Sequence, residues 1–243
     1  MENANVLEIK NLCKDYKTFS LKNVSFSVKK GSIMGFVGRN GAGKTTTLKA
    51  ILNLVHPTSG TVKLFNKEFL TNEEEIKQKI GYASSGTNYY PRKTLKQIIN
   101  AAKPFYKNWD DNICKEYMQK FELSENKKIT ELSEGMKVKF HLVLALSHNA
   151  EFLILDEPTS GLDPVSREEL VIIFKNLAKQ NVTILFSTHI TGDLEKCADH
   201  ITYIKKGEII ASSAMEDFLK SYAHEFNTLE DIMVHLELGE ENR

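Results

Sequence analysis

Along the first part of the chain, apolar and polar positions alternate. VLEIKNL (residues 6–12) and LKNVSFSV (21–28) carry the period-two pattern of half-buried strands, which predicts antiparallel pairing. SGTVKLF (59–65), after a Pro57–Gly60 turn, predicts a further strand. Between these segments the rhythm changes. SIMGFV (32–37) is a short continuous apolar run of strand type, and TTLKAILNLV (46–55) puts Leu48, Ile51, Leu52 and Val55 at helical spacing. From residue 94 to 150 the spacing is helical throughout. Leu95, Ile98, Ile99, Ala102 and Phe105 line one face, with Pro104 ending or kinking that helix. Ile113, Tyr117, Met118 and Phe121 line another, with Asp110 as its N-cap. A third helix is expected from about Glu134, with Met136, Phe140, Val143 and Leu144 on one side. FLILDEP (152–158) and NVTILFSTH (181–189) are apolar without alternation, as strands buried on both faces are. Asp163 and Pro164 then read as the N-cap and first-turn proline of a helix. Strands alternating with helices predict an α/β fold with a mainly parallel sheet, an antiparallel β part at the N-terminus and an inserted helical segment.

Composition narrows the class without naming a chemistry. The chain has 243 residues, 41% hydrophobic and 26% charged, enough to bury a core without covalent staples. Lysine plus arginine balance aspartate plus glutamate at a formal net charge of zero, so bulk charge gives no support for a nucleic-acid partner. Cys13, Cys114 and Cys197 are far apart and form no C-x-x-C pair; they read as free thiols of a reducing compartment. The polar, acidic MENANVLEIK start does not read as a signal peptide. No apolar run approaches the ~20 residues that span a bilayer. Work at a membrane is therefore expected to need a second chain that supplies the span.

Residues 36–47, FVGRNGAGKTTT, concentrate the candidate chemistry. Gly38, Gly43, Lys44 and Thr45 fit the pattern G-x-x-x-x-G-K-[ST], between a predicted strand and a predicted helix. Glycines let backbone N–H groups turn toward a ligand, lysine adds a compact positive charge, and threonine adds a hydroxyl. That set suits a phosphate chain with a magnesium ion. In FLILDEPTSGLDP, Asp156 ends an apolar strand, where it can hold magnesium directly or through water. Glu157 follows at the carboxyl edge of the sheet, where it can orient and deprotonate a water. His189 ends the next apolar run and falls beside the terminal phosphate if the two strands are neighbours.

These residues, taken together, resemble the nucleotide-binding subunit of an ABC transporter, and the resemblance spans nearly the whole chain. GRNGAGKT matches the Walker A loop, which implies that Gly38, Arg39, Asn40, Gly41, Ala42, Gly43, Lys44, Thr45 and Thr46 wrap the phosphates of ATP, with Lys44 on the phosphates and Thr45 on magnesium. LILDE matches Walker B, with Asp156 on the metal and Glu157 as catalytic base. SGLD matches the D-loop, with Asp163 near a dimer interface, and His189 matches the switch histidine. Tyr16 lies where the family stacks an aromatic ring on adenine. LSEGM (132–136) occupies the signature position, where the family typically reads LSGGQ; Ser133, Glu134 and Gly135 would reach ATP held by a second subunit. There a serine, a glycine N–H and a helix N-terminus form an anion site.

Two positions depart from the family pattern. Glu134 puts a carboxylate near a γ-phosphate, which repels it unless it points away. This signature, with a charged residue and Met136, resembles a branch of bacterial bacitracin, peptide and drug exporters. Ser85 stands where the family has glutamine, or in this branch often glutamate, a residue that helps hold magnesium and senses the membrane partner. A serine hydroxyl is a shorter ligand. The resemblance implies a P-loop NTPase core over residues 1–93 and 150–215, a helical insertion carrying the signature over 94–149, and a C-terminal tail over 216–243. It further implies an ATPase that uses Mg-ATP, pairs with a second nucleotide-binding subunit as a homodimer or heterodimer, and serves an integral membrane permease from the cytoplasmic side, in an export system. Tyr89, Tyr90 and Arg92 cluster where the family receives a short helix of that permease. Two competing readings remain: a regulatory module that hydrolyses weakly, and a soluble ABC ATPase unconnected with transport.

Overall fold

The computed structural model describes residues 5–84 and 90–239. Two long strands open the chain, β1 (Asn5–Asp15) and β2 (Ser20–Lys29), paired antiparallel across a short turn. There follow β3 (Ile33–Val37), α1 (Lys44–Ile51), β4 (Ser59–Leu64), β5 (Lys67–Glu68), α2 (Glu73–Lys77) and β6 (Ile80–Ser84). The helical insertion holds α3 (Leu95–Ala102), α4 (Asp111–Lys120) and α5 (Glu134–Ser147). The chain then returns through β7 (Phe152–Asp156), α6 (Pro164–Lys179), β8 (Thr183–Thr188), α7 (Thr191–Cys197), β9 (His200–Lys205) and β10 (Glu208–Ala214), and closes with α8 (Met215–Tyr222) and α9 (Leu229–Leu238).

Among the described residues these strands form two sheets. One runs β2-β1-β4-β5 and is antiparallel; the other runs β10-β9-β3-β8-β7-β6 and is parallel from β9 to β6. This is the expected α/β architecture of a P-loop NTPase with an antiparallel part and an inserted helical part. The central strands divide their side chains between two cores. Phe152 and Ile154 of β7 and Leu185 of β8 face the core shared with α1 and the antiparallel sheet. Leu153, Leu155, Ile184 and Phe186 face the core shared with α3–α6. A period of two with both faces covered is why these segments read as unbroken apolar runs.

Two sequence expectations need correction. The helix expected through Val55 ends at Ile51, because Asn53 takes a left-handed conformation (φ 55°) and the Leu54 N–H returns to the Lys49 carbonyl at 2.9 Å. Phe105 leaves the apolar face of α3: the helix stops at Ala102, Pro104 sits in a 3₁₀ turn, and the Phe105 ring is 76% exposed. The C-terminal residues pack onto the core shared with α3–α6. Leu229, Ile232 and Met233 of α9 are buried in the core, and Tyr203 and Lys205 of β9 donate hydrogen bonds to Glu237 Oε1 and the Leu236 carbonyl, each at 2.7 Å. α5 also buries more than one stripe, since every residue from Phe140 to Ser147 is covered. Ser85 and Tyr89 lie outside the described residues.

Candidate functional site

β3 ends at Val37 and α1 begins at Lys44, so residues 38–43 form the connection between strand and helix N-terminus. Glycine is required at two points by contact. A Cβ on Gly38 would stand 2.3 Å from the Ile204 carbonyl oxygen. At Gly43 the backbone is left-handed (φ 115°), and a Cβ would meet Leu21 Cδ2 at 2.7 Å and Phe19 Cζ at 2.9 Å. Gly43 is also the N-cap of α1. No side chain caps that end, and its first turn carries no acidic residue. The first-turn N–H groups and the positive end of the helix dipole are thus left for an anion. Arg39, Asn40, Gly41 and Thr45 are exposed around this end, Thr46 is half-buried, and Ala42 is buried with its N–H donating to the Arg39 carbonyl at 3.0 Å. The Lys44 side chain, only 5% exposed, folds back over the loop. Its ammonium donates to the carbonyls of Gly38 (2.7 Å) and Arg39 (3.3 Å) and pairs with Glu157 Oε1 at 3.1 Å.

The acidic pair is set by the register of two parallel strands. β7 and β8 are neighbours, with Asp156 opposite Ser187. The Ser187 hydroxyl donates to Asp156 Oδ1 at 2.6 Å and accepts the Glu157 N–H at 3.0 Å, and the same N–H approaches the Ser187 carbonyl at 3.1 Å. These contacts hold Glu157 at φ 54°, a left-handed conformation uncommon for a residue with a side chain. Backbone held in such a region by its surroundings is characteristic of functional sites. The Glu157 carboxylate accepts from His189 Nδ1 at 2.8 Å through Oε2 and meets Lys44 through Oε1. Lys44, Glu157 and His189 therefore form one continuous chain, with Asp156 attached through Ser187. Ser187 escaped the sequence reading. In LFSTH the serine carries no signal of its own, and it gains meaning only once the register sets it across from Asp156.

The signature segment belongs to the helical insertion. Ser133 caps α5, its hydroxyl accepting the Met136 N–H at 3.3 Å. The Glu134 carboxylate pairs with Lys137 on the same helix at 2.5 Å, so its charge is met within its own first turn. Gly135 lies against Leu162 and Ser166, which joins the signature to the start of α6. There Asp163 accepts from the N–H groups of Val165 (3.0 Å) and Ser166 (3.1 Å), while the Ser166 hydroxyl donates to its other oxygen at 2.6 Å. The Ser166 hydroxyl, followed by the backbone donors, holds the Asp163 carboxyl below its usual pKa. Tyr16 is exposed in the turn between β1 and β2, its N–H donating to the Phe19 carbonyl at 2.8 Å and the Lys14 ammonium 5.3 Å from its ring centroid. Phe19 touches Gly43, so this turn stands beside the phosphate-type loop. β6 ends with Ser84 opposite Asp156, and position 85 follows directly in the chain. A groove of about 680 Å³ opens between Gly38–Arg39, His189–Gly192 and the α9 residues Met233 and Val234. Sequence periodicity gave no hint that α9 reaches this edge.

Comparison with known proteins agrees with this arrangement. Residues 21–160 match the ABC transporter family. The bacitracin transport ATP-binding protein BcrA of Bacillus licheniformis is 37% identical over 194 residues, covering 79% of this chain and 63% of that protein. The chain thus spans somewhat less than two thirds of that relative's length. Among solved structures, one described as the ATP binding subunit of an ABC transporter superposes with a TM-score of 0.85 at 26% identity, covering 96% of this chain and 99% of that one. A dimeric ATP-binding cassette in a post-hydrolysis state, bound to ADP and Pi, superposes with a TM-score of 0.76 at 25% identity, covering 86% of this chain and 98% of that one. With the loop, the acidic pair and the histidine assembled on this fold, the chain belongs to the ABC transporter family as an ATP-binding domain.

Proposed function

We propose that this chain binds Mg-ATP and hydrolyses it to power a membrane transporter. The observation that carries the reading is the Lys44–Glu157–His189 chain beside the uncapped N-terminus of α1. Residues 38–46 and the first-turn N–H groups would hold the phosphates, with Tyr16 against the adenine. Lys44 would exchange its pairing with Glu157 for the terminal phosphate. Glu157, released from Lys44 but still held by His189, would take a proton from the attacking water. Apart from orienting that water, the residues act mainly by stabilising charge on the transferring phosphoryl group.

The donor set suits magnesium. Thr45 offers an exposed hydroxyl, and Asp156, 5% exposed, has one oxygen engaged by Ser187. No group of three or more histidine, cysteine or carboxylate side chains among the described residues could cage a metal alone. Two oxygen ligands plus substrate phosphates and water is the usual pattern for magnesium, which dehydrates reluctantly. Thr45 and Asp156 would hold it, with Ser85 as a further candidate, and the ion would neutralise phosphate charge.

The signature residues Ser133, Glu134 and Gly135 and the D-loop Asp163 would meet ATP bound to a second nucleotide-binding subunit. No helix among the described residues is long and apolar enough to cross a membrane, so the span would come from an integral permease. Exposed Tyr90 and Arg92 stand at the edge of the helical insertion as candidates for its docking site. The cytoplasmic face of the cell membrane is the expected workplace. Export is supported by the likeness of LSEGM to exporter signatures and by the bacitracin transport relative. Steady-state ATPase assays test the core of this proposal. Glu157→Gln is expected to lower kcat by about 10²–10⁴-fold, the usual worth of a general base, with ATP still bound. Lys44→Ala is expected to lose ATP binding itself. A wild-type rate in Glu157→Gln would overturn the assignment of the base.

A further inference from the structure

α5, whose N-terminus carries the signature, also carries a histidine that the ATPase reading does not use. His141 is 7% exposed, and both ring nitrogens are fully buried. Its position follows from how α5 lies along β6. A Cβ on Gly81 would stand 2.4 Å from the Ala145 Cβ, so the helix runs close against this strand. One helical turn toward the signature, about 6 Å, matches two strand residues of about 3.3 Å each. His141 therefore comes to the level of Ala83 and Ser84, at the carboxyl end of β6. There it lines a small cavity together with Ser84, Asp156, Glu157 and Ser160.

The cavity measures about 20 Å³. A single water needs roughly 10–15 Å³ and two to four polar partners. Ser84, Ser160, His141, Asp156 and Glu157 are among the lining residues, with the paired Glu134 and Lys137 on the side toward the signature. We infer that His141 positions Glu157 through one water held in this cavity, so that the signature helix and the catalytic carboxylate move as a unit. His141 is a positioning residue in this scheme: it touches neither nucleotide nor attacking water. Burial, the largest influence, pulls its pKa down to about 4, with Glu134 and Lys137 acting in opposite directions. A neutral imidazole has one donor and one acceptor nitrogen, which suits a bridging water.

The inference rests on the ATPase reading and is tested in the full chain with His141→Leu and His141→Gln. Outer-shell partners of this kind usually cost 10–100-fold when removed, so kcat in His141→Leu is expected to fall about tenfold or more. The KM for ATP should stay within about twofold, since no nucleotide contact is removed. His141→Gln, which keeps a polar end, should recover most of the lost kcat. A wild-type kcat in His141→Leu, or equal loss in both variants, would mean that His141 only packs, and would overturn the inference. If the leucine variant does not fold, a high-resolution crystal structure of the wild-type chain decides, by density for a water within hydrogen-bond reach of His141 and Glu157. Absence of that density would overturn the inference. Glu157→Gln run in parallel separates the two claims. An inactive Glu157→Gln beside a fully active His141→Leu defeats this inference alone, whereas an active Glu157→Gln defeats the ATPase reading beneath it.

Discussion

At Glu157 one residue carries three separate constraints: a left-handed backbone, an ion pair with Lys44 and a hydrogen bond from His189. The backbone constraint comes from Ser187, whose hydroxyl and carbonyl both meet the Glu157 N–H. The acidic pair could be read from LILDE, but the residue that fixes its geometry could not. The buried histidine of α5 gives a residue-scale prediction about stability. His141 has its pKa pulled down to about 4 in the fold, against an unfolded value near 6.5. Between those two values the unfolded chain binds a proton that the folded chain does not. The stability that depends on a neutral His141 is thus present above the unfolded pKa and lost as pH falls toward 4. By linkage this amounts to about 2 kcal/mol between pH 7 and pH 5. Urea unfolding at both pH values should show the loss in the wild type and a loss smaller by about that amount in His141→Leu. An identical pH dependence in the two proteins would place the sensitivity elsewhere.

At the scale of single elements, the strands and helices with a one-sided or fully buried pattern were legible. Asp110 and Asp163 were readable as caps because a carboxylate just before a helical pattern has one strong local use, and both accept the expected N–H groups. Element ends set by one backbone conformation were not legible: Asn53 closes α1 early, and the turn around Pro104 sheds Phe105 into solvent. The Asp163 cap supports the start of α6, on which Gly135 of the signature rests through Leu162 and Ser166. Asp163→Ala is expected to destabilise the fold through loss of this N-cap. In a chain of this length that lowers Tm by roughly a few degrees. Calorimetry of the variant checks this; an unchanged Tm would mean that Ser166 or water caps α6 equally well.

For the whole molecule, the prediction concerns two copies. Phosphate-binding and signature segments sit on different parts of one chain, and Glu134 carries its own lysine, so the signature helix end can face an anion without a net local charge of −1. If each subunit completes its partner's site, ATP that is bound but not hydrolysed should hold two chains together. Glu157→Gln sized by light scattering should double in mass on addition of Mg-ATP, and adding Ser133→Arg should prevent this. A mass that stays that of one chain in Mg-ATP would exclude the homodimer and leave pairing with a similar partner chain. Much at this scale was determined by the sequence itself. Order and period of the apolar segments dictated a parallel sheet with an inserted helical segment, because burial on both faces and βα alternation leave few other solutions. The loop spacing dictated a phosphate-type site, because it depends on local backbone freedom and a single adjacent lysine. Tertiary structure alone decided which strands are neighbours. It thereby decided that Ser187 meets Asp156, that His189 meets Glu157, that His141 lines one cavity with Asp156 and Glu157, and that α9 reaches the rim of the site. Those contacts join residues distant in the chain, and no local propensity or spacing records them; they exist only where strand register and helix packing bring the ends of separate elements together.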